Sequence, residues 1–171
     1  MRTEFRISGS GGQGVISAGV MLANSAVACG LHAVQSQSYG PEARGGTSRA
    51  EVVISDEEID YPKAVSPRYV LCLTPEAYNA YGKNTPEGTE VYIDSNIIAD
   101  DDKARKIPIM DTASKISLRS ANVVAVAFLS GLSGLISEEK LREALKAQFP
   151  KFYDINVKCA EAGFLLANGE R

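Results

Sequence analysis

A glycine-rich turn near the N-terminus constrains the fold of this chain most strongly. Residues 9–14 read Gly-Ser-Gly-Gly-Gln-Gly, between a predicted strand at residues 5–8 and a predicted helix at residues 15–29. The first N–H groups of a helix have no partner within it, and the helix dipole adds about half a positive charge there. Glycines also let the backbone approach a ligand closely. We therefore predict that this turn holds a phosphate, a carboxylate or the backbone of a partner.

Alternating strand and helix patterns predict an α/β fold. The first helix has apolar residues at three-to-four spacing and stops at Gly30, and residues 32–37 form a second strand, which completes a Rossmann-like βαβ unit. Further strands are predicted at residues 48–55, 69–73, 90–94 and 106–110, with a short hairpin arm at 59–61. We expect a three-layer α/β/α sandwich with a mostly parallel or mixed sheet, and one domain over residues 1–171.

The remaining helices are marked by caps and apolar faces. Thr74 and Pro75 are suited to the cap and first position of a helix that ends near Gly82. The segment 120–132 is apolar nearly all round, which indicates burial in the core or in a subunit interface. Two more helices are predicted, one starting at residues 137–139 and stopping at Pro150, the other at residues 155–166.

The loop after the second strand is the second unusual stretch. Residues 38–47 combine an aromatic ring, a stiff Gly-Pro turn, a carboxylate and a guanidinium ahead of a glycine pair. Strand ends of a βαβ unit gather at one sheet edge, so we expect this loop beside the glycine turn. Arg44 is suited to pair with a phosphate or carboxylate, although a plain surface turn with a Glu42–Arg44 pair fits the same residues. The candidate cofactor-binding residues are Gly9, Gly11, Gly12, Gln13, Gly14, Ser38, Tyr39, Glu42, Arg44 and Gly45.

The glycine spacing matches a dinucleotide fingerprint, but its surroundings do not. NAD and FAD sites need an acidic residue at the end of the second strand, and that strand here ends Gln-Ser-Gln-Ser at residues 35–38. No Gly-Lys-Ser/Thr follows the turn, so it is not a P-loop. A tight turn required only for close packing of the helix on the strand remains the alternative.

Composition excludes several function classes. A net charge of -3 and a pI near 5.3 argue against nucleic-acid binding, and no apolar run approaches the roughly 20 residues that cross a bilayer. With no signal peptide expected, we predict a cytoplasmic protein. Cys29, Cys72 and Cys159 are scattered and His32 is the single histidine, so we predict neither metal ligands nor catalytic residues within this chain.

Taken together, the two loops resemble the gamma subunit of 2-oxoacid:ferredoxin oxidoreductases. The resemblance rests on residues 9–15 (GSGGQGV) followed by residues 37–46 (QSYGPEARGG), and extends to Asn122, Asn156 and the pair Ala162-Gly163. It covers essentially the whole chain. Each motif alone is modest, but both in this order are specific.

The resemblance implies a function that the residues alone do not. The holoenzyme would convert a 2-oxoacid (2-oxoglutarate, pyruvate or a branched-chain acid), coenzyme A and oxidised ferredoxin into acyl-CoA, carbon dioxide and reduced ferredoxin. Thiamine diphosphate and iron–sulfur clusters would sit mainly in other subunits, alpha, beta and delta, and the isolated chain would be inactive. The glycine turn and Arg44 would face coenzyme A or the subunit joint. An autonomous nucleotide-binding protein and a non-catalytic scaffold subunit remain open as alternatives.

Overall fold

A computed structural model describes residues 1–39, 46–99 and 103–170 of the chain. The strands are β1 (Arg2–Ser10), β2 (His32–Tyr39), β3 (Thr47–Ser55), β4 (Tyr69–Cys72), β5 (Glu90–Asp94) and β6 (Ala104–Ile107). The helices are α1 (Val15–Ala28), α2 (Pro75–Tyr81), α3 (Ile109–Ser114), α4 (Ala121–Ser133), α5 (Glu138–Gln148) and α6 (Tyr153–Asn168), with short 3-10 turns at Leu118–Ser120 and Pro150–Phe152.

The six strands form one mixed sheet in the order β2-β3-β1-β4-β5-β6. Strands β1, β4, β5 and β6 run parallel, whereas β3 runs antiparallel to both β1 and β2. Strands β1 and β2 are therefore parallel to each other but separated by β3. The predicted βαβ unit is present in this split form, and the α/β fold with a mixed sheet is confirmed.

Helices cover the two faces of the sheet unequally. The larger core lies between the sheet and α1, α3, α4, α5 and α6, and the smaller core lies under α2 on the opposite face. Helix α1 approaches β3 closely because Gly19 has no side chain, and a Cβ at that position would lie 2.7 Å from the Cβ of Ala50. The three layers of the predicted sandwich are present, and the expectation of one domain stays a prediction.

Helix α4 is buried within this chain and not in a subunit interface. Its residues from Val123 to Gly131 are all buried, and α6 packs along it. Gly163 makes that packing possible, because a Cβ there would collide with the backbone oxygen of Val124 and lie 2.7 Å from the Cβ of Ala127. The apolar character of α4 is explained by this core, which removes it as support for a docking role.

Local capping signals were predicted correctly. The Thr74 hydroxyl accepts a hydrogen bond from the Ala77 N–H at 3.2 Å, with Pro75 at the first helical position. The Ser137 hydroxyl accepts from the Lys140 N–H at 3.3 Å at the start of α5. Such caps satisfy N–H groups that the helix itself leaves unpaired.

Two strand predictions were wrong. Residues 59–61 form no strand, and the carbonyl oxygens of Tyr61 and Lys63 accept hydrogen bonds from the Arg2 guanidinium. The last strand is Ala104–Ile107 and not 106–110. Pro108 ends it, and the buried Asp94 carboxylate accepts the Met110 N–H at 2.8 Å, which fixes the start of α3.

The strands beside the second loop are longer than predicted. Strand β2 reaches Tyr39 and β3 begins at Thr47, so the predicted loop of residues 38–47 is reduced to the segment between these strands.

No helix within residues 1–39, 46–99 and 103–170 combines the length and apolarity that crossing a bilayer requires.

Candidate functional site

The glycine turn connects the last residues of β1 to the start of α1. Gly9 and Ser10 end the strand, and Gly14 occupies the N-cap of α1 with a left-handed φ of 71°. The carboxamide oxygen of Gln13 accepts the Ser10 N–H at 2.8 Å, and the Gln13 N–H donates to the Ser10 carbonyl at 3.3 Å. Gln13 therefore holds the turn closed through its own oxygen, a role that the sequence did not indicate.

The start of α1 leaves its backbone donors open. It has no side-chain cap and no acidic residue in its first turn, in contrast to α2 and α5, which have both. Among the described residues, the N–H groups of Gly12, Val15 and Ile16 donate to no acceptor. Gly11 and Gly12 are exposed at the surface. Within the described residues, the turn thus combines N–H groups that have no acceptor with the positive end of a helix dipole, beside two exposed glycines.

The two predicted loops begin at the same edge of the sheet. Ser10 pairs with Thr47, and Tyr39 at the end of β2 pairs with Ser48. The Gly11 N–H donates to the Gly46 carbonyl at 3.4 Å, which joins the turn to the approach to β3. The juxtaposition expected from the βαβ pattern is confirmed at the level of strand ends.

The candidate residues divide into three groups. The glycine turn holds five of them together at the start of α1, namely Gly9, Gly11, Gly12, Gln13 and Gly14. Ser38 is half-buried near the end of β2 and pairs with Arg49, and Tyr39 ends that strand. Glu42, Arg44 and Gly45 lie outside the described residues. The ligand-binding role of all ten stays a prediction.

The glycines of the turn serve different purposes. A Cβ at Gly9 would collide with the Gln13 carboxamide, and a Cβ at Gly14 would lie 2.7 Å from Asn122 Nδ2. These two positions support the alternative that the turn is required only for close packing of the helix on the strand. A Cβ at Gly11 would meet nothing within 4 Å, so packing within the described part of the chain does not explain that glycine.

Asn122 belongs to this site although its position in the sequence gave no sign of it. It lies at the start of α4, and its Nδ2 donates to the Gly14 carbonyl at 3.5 Å, a weak contact. The resemblance singled out Asn122 as a family feature, but contact with the glycine turn follows only from the packing of α4 against α1. The three atoms nearest to a Cβ placed on Gly14 all belong to the Asn122 side chain.

A charged network on the other face of the sheet also escaped the sequence analysis. Arg6 Nη2 lies 2.8 Å from Glu51 Oε1, and both side chains are largely buried. Arg49 approaches the same carboxylate at 3.6 Å, with its guanidinium 5.0 Å from the Tyr81 ring centre. The alternation of Arg49 with Glu51 along β3 was visible, but the pairing with Arg6 depends on the register of β1 and β3.

The three cysteines are placed apart and are not arranged as ligands. Cys29 follows α1, Cys72 ends β4 and Cys159 lies in α6. Burial raises the pKa of the Cys72 thiol to about 11, and burial also raises the pKa of Cys159. Within the ranges that the structure describes, no three His, Cys, Asp or Glu side chains are grouped as metal ligands are. Cys72 and Cys159 therefore behave as small buried apolar groups, whereas Cys29 is only half-buried.

Known proteins share both the sequence and the fold. A family model described as pyruvate ferredoxin/flavodoxin oxidoreductase matches residues 4–166. The 2-oxoglutarate synthase subunit KorC of Methanocaldococcus jannaschii is 43% identical over 160 residues, which cover 88% of this chain and 86% of the relative.

Two solved structures extend this likeness. The gamma subunit of a keto/oxoacid ferredoxin oxidoreductase from Geobacter sulfurreducens PCA superposes with a TM-score of 0.85 and 35% identity, covering 99% of this chain and 98% of that one. A 2-oxoglutarate:ferredoxin oxidoreductase from Magnetococcus marinus, solved with 2-oxoglutarate, coenzyme A and succinyl-CoA bound, gives a TM-score of 0.88 and 27% identity. It matches 98% of this chain, which spans 31% of that longer one.

Proposed function

Because the chain belongs to the pyruvate ferredoxin/flavodoxin oxidoreductase family, we propose that it is a gamma subunit whose glycine turn binds coenzyme A. The family membership confirms the resemblance carried by the two loops. The observation that supports the ligand is the start of α1, where N–H groups that have no acceptor among the described residues lie beside the exposed Gly11 and Gly12. Phosphates are well suited to such a helix start.

Each part of the turn contributes to this proposed site in a definite way. Gln13 holds the Ser10 N–H, which keeps the turn in one shape. Among the described residues, nothing lies within 4 Å of a Cβ at Gly11, which would let a phosphate approach the backbone. Ser38 and Tyr39 end the neighbouring strand, and Glu42, Arg44 and Gly45 follow in the sequence, so Arg44 is proposed to supply the positive charge.

We propose 2-oxoglutarate as the 2-oxoacid of the complex, with pyruvate and branched-chain acids as alternatives. The 43% identical relative is named a 2-oxoglutarate synthase subunit, and the Magnetococcus enzyme is a 2-oxoglutarate:ferredoxin oxidoreductase. In such a reaction the bond between the keto carbon and the carboxylate breaks, carbon dioxide leaves, and the acyl group forms a thioester with coenzyme A. Two electrons pass to ferredoxin and the thiol proton is released.

The remaining chemistry is assigned to other subunits. Thiamine diphosphate would supply the stabilised carbanion, and iron–sulfur clusters would carry the electrons. The separated cysteines of this chain do not form a cluster-binding set, so alpha, beta and delta subunits are proposed to hold these groups and to contact ferredoxin. The role of this chain is to bind and orient coenzyme A. The cytoplasmic location expected from the sequence stays a prediction.

A charge placed on Gly11 tests the proposal. Gly11 has no left-handed φ, and a Cβ there would have no neighbour within 4 Å among the described residues, so Gly11→Asp and Gly11→Asn both fit the described part of the fold. The two side chains have nearly the same shape and differ in charge. In the reconstituted complex we expect Gly11→Asp to raise the KM for coenzyme A by about tenfold, equivalent to about 1.4 kcal/mol, relative to Gly11→Asn. The KM for the 2-oxoacid should not change.

The same experiment separates the alternatives. A scaffold subunit predicts equal KM values for both variants, and any loss would appear in assembly measured by gel filtration. Equal KM values with full assembly would therefore refute the coenzyme A site. Titration of the isolated chain with NAD, FAD and coenzyme A by calorimetry tests the autonomous nucleotide-binding alternative, which requires tight binding of NAD or FAD without other subunits.

A further inference from the structure

Two shallow grooves meet at an exposed phenylalanine between α5 and α6. One groove, of about 410 Å³, runs from Asn122 past Arg119 to Phe152 and Ile155. The other, of about 370 Å³, is bounded by the same Phe152 and Ile155 together with Lys146 and Lys151. We call these lining residues together the Phe152 surface; in full they are Ser117, Arg119, Ser120, Asn122, Val123, Lys146, Phe149–Ile155 and Asn156.

The apolar side chains of this surface are exposed to an unusual degree. Phe152 is 64% exposed and Ile155 is 40% exposed, and Leu118 in the neighbouring 3-10 turn is 56% exposed. The turn Pro150–Phe152 holds the ring outward, with Pro150 at its first position. Large apolar side chains grouped at one place on a surface mark an interaction site, because leaving them in water is unfavourable.

The rim of the Phe152 surface is basic although the chain as a whole is acidic. Arg119, Lys146 and Lys151 line the grooves, against the single carboxylate of Asp154. None of these four forms an ion pair within the part of the chain that the structure describes. The net charge of the whole chain is -3. The local excess of positive charge selects for an occupant that carries carboxylates.

We propose that the Phe152 surface docks a segment of another subunit of the oxidoreductase, with apolar side chains in the grooves and acidic side chains on the rim. A second copy of this chain docked through the same surface is disfavoured, because a two-fold contact would bring the three cations together. A small ligand is disfavoured because Phe152 forms a ridge between the grooves and not the wall of an enclosed pocket.

The Phe152 surface adjoins the glycine turn through Asn122. Asn122 lines one groove and also contacts the Gly14 carbonyl, so the docked segment would lie beside the glycine turn. A neighbouring subunit would then form part of the wall around whatever the turn binds. The docking proposal does not depend on coenzyme A being that ligand, because it rests on the exposure and charge of residues outside the turn.

Paired variants in the reconstituted complex test the proposal. Phe152→Ala removes the exposed ring, and Leu165→Ala is its control, since Leu165 is 70% exposed on α6, the helix that follows Phe152, and lines neither groove. Lys151→Glu reverses a rim charge, and Lys83→Glu is its control on an exposed site after α2. We expect Phe152→Ala to raise the Kd for the other subunits by about 30-fold, in the range of interface hot spots.

Lys151→Glu should slow association and reduce its dependence on salt, while both controls assemble as the unaltered chain does. A photo-crosslinking amino acid at Phe152 in the intact complex should attach to a segment of another subunit that contains both apolar and acidic residues. If Phe152→Ala and Lys151→Glu bind the other subunits with the same Kd and association rate as the unaltered chain, the proposal is overturned. Crosslinks confined to a second copy of the chain would also overturn it.

Discussion

Asn122 and Gly14 lie against each other although they are 108 residues apart in the chain. The Nδ2 of Asn122 would be 2.7 Å from a Cβ built on Gly14, and the φ of Gly14 is 71°, in the left-handed region. Two separate constraints therefore keep this position glycine. The contact couples the start of α4 to the turn from which α1 begins.

Gly14→Ala should lower the free energy of unfolding by about 2 kcal/mol, because the backbone is strained and the methyl group presses on Asn122. Gly11→Ala is the control, since that position has no positive φ and no described neighbour that a Cβ would meet, and it should leave stability unchanged or slightly raised. Urea denaturation measures both. Adding Asn122→Ala should recover only the part of the loss that comes from the collision; full recovery would contradict the strain argument.

Glu51→Gln should lower the free energy of unfolding by about 3 kcal/mol. Arg6 and Glu51 have side chains only 14% and 10% exposed, so removing the negative charge leaves the Arg6 guanidinium buried without a counter-charge. Arg49, 3.6 Å from the same carboxylate, adds like-charge repulsion. Glu143→Gln is the control, because its pair with Lys140 is exposed, and it should leave the melting temperature unchanged. Equal effects of the two variants would show that burial does not strengthen this pair.

Helix caps and a helix-ending glycine could be predicted from the sequence, because they depend only on neighbouring residues. Thr74 with Pro75 and Ser137 marked helix starts because capping depends on a hydroxyl and the few N–H groups that follow it. Gly30, with a φ of 80°, ended the first helical segment as expected. Such signals depend on neighbours within about four residues, so folding of the rest of the chain does not alter them.

Relationships between distant segments were not readable in the same way. The insertion of β3 between β1 and β2 depends on which strand pairs with which, and alternating patterns give no order. Helix α3 was missed because its start is fixed by Asp94, which lies 16 residues earlier. In the candidate site, the glycine turn was predicted from its own residues, whereas the contact of Asn122 with it required the packed structure, as did the Arg6–Glu51 pair on the other face of the sheet.

Arg44→Ala should raise the KM for coenzyme A in the reconstituted complex by about tenfold if its guanidinium pairs with a phosphate. Arg68→Ala is a suitable control, because Arg68 lies at the opposite end of the sheet, before β4, and pairs there with Glu90. Steady-state kinetics with coenzyme A and the 2-oxoacid varied separately measure the effect. An unchanged KM with assembly intact would remove Arg44 from the proposed site.

Deprotonation of the buried Cys72 thiol should lower the free energy of unfolding at high pH. Burial raises the pKa of its thiol from an ordinary value of 9.0 to about 11, and the Ser8 hydroxyl lies 3.3 Å from its sulfur. The folded chain then keeps a proton that the unfolded chain releases, so this contribution is complete below pH 9 and is lost as the pH rises through about 11. Cys72→Ala should lower stability at neutral pH by creating a cavity, but its stability should fall less steeply over this range. Urea denaturation at pH 8, 9.5 and 11 measures the difference between the two proteins, and a constant difference would show that the thiol does not titrate with a raised pKa.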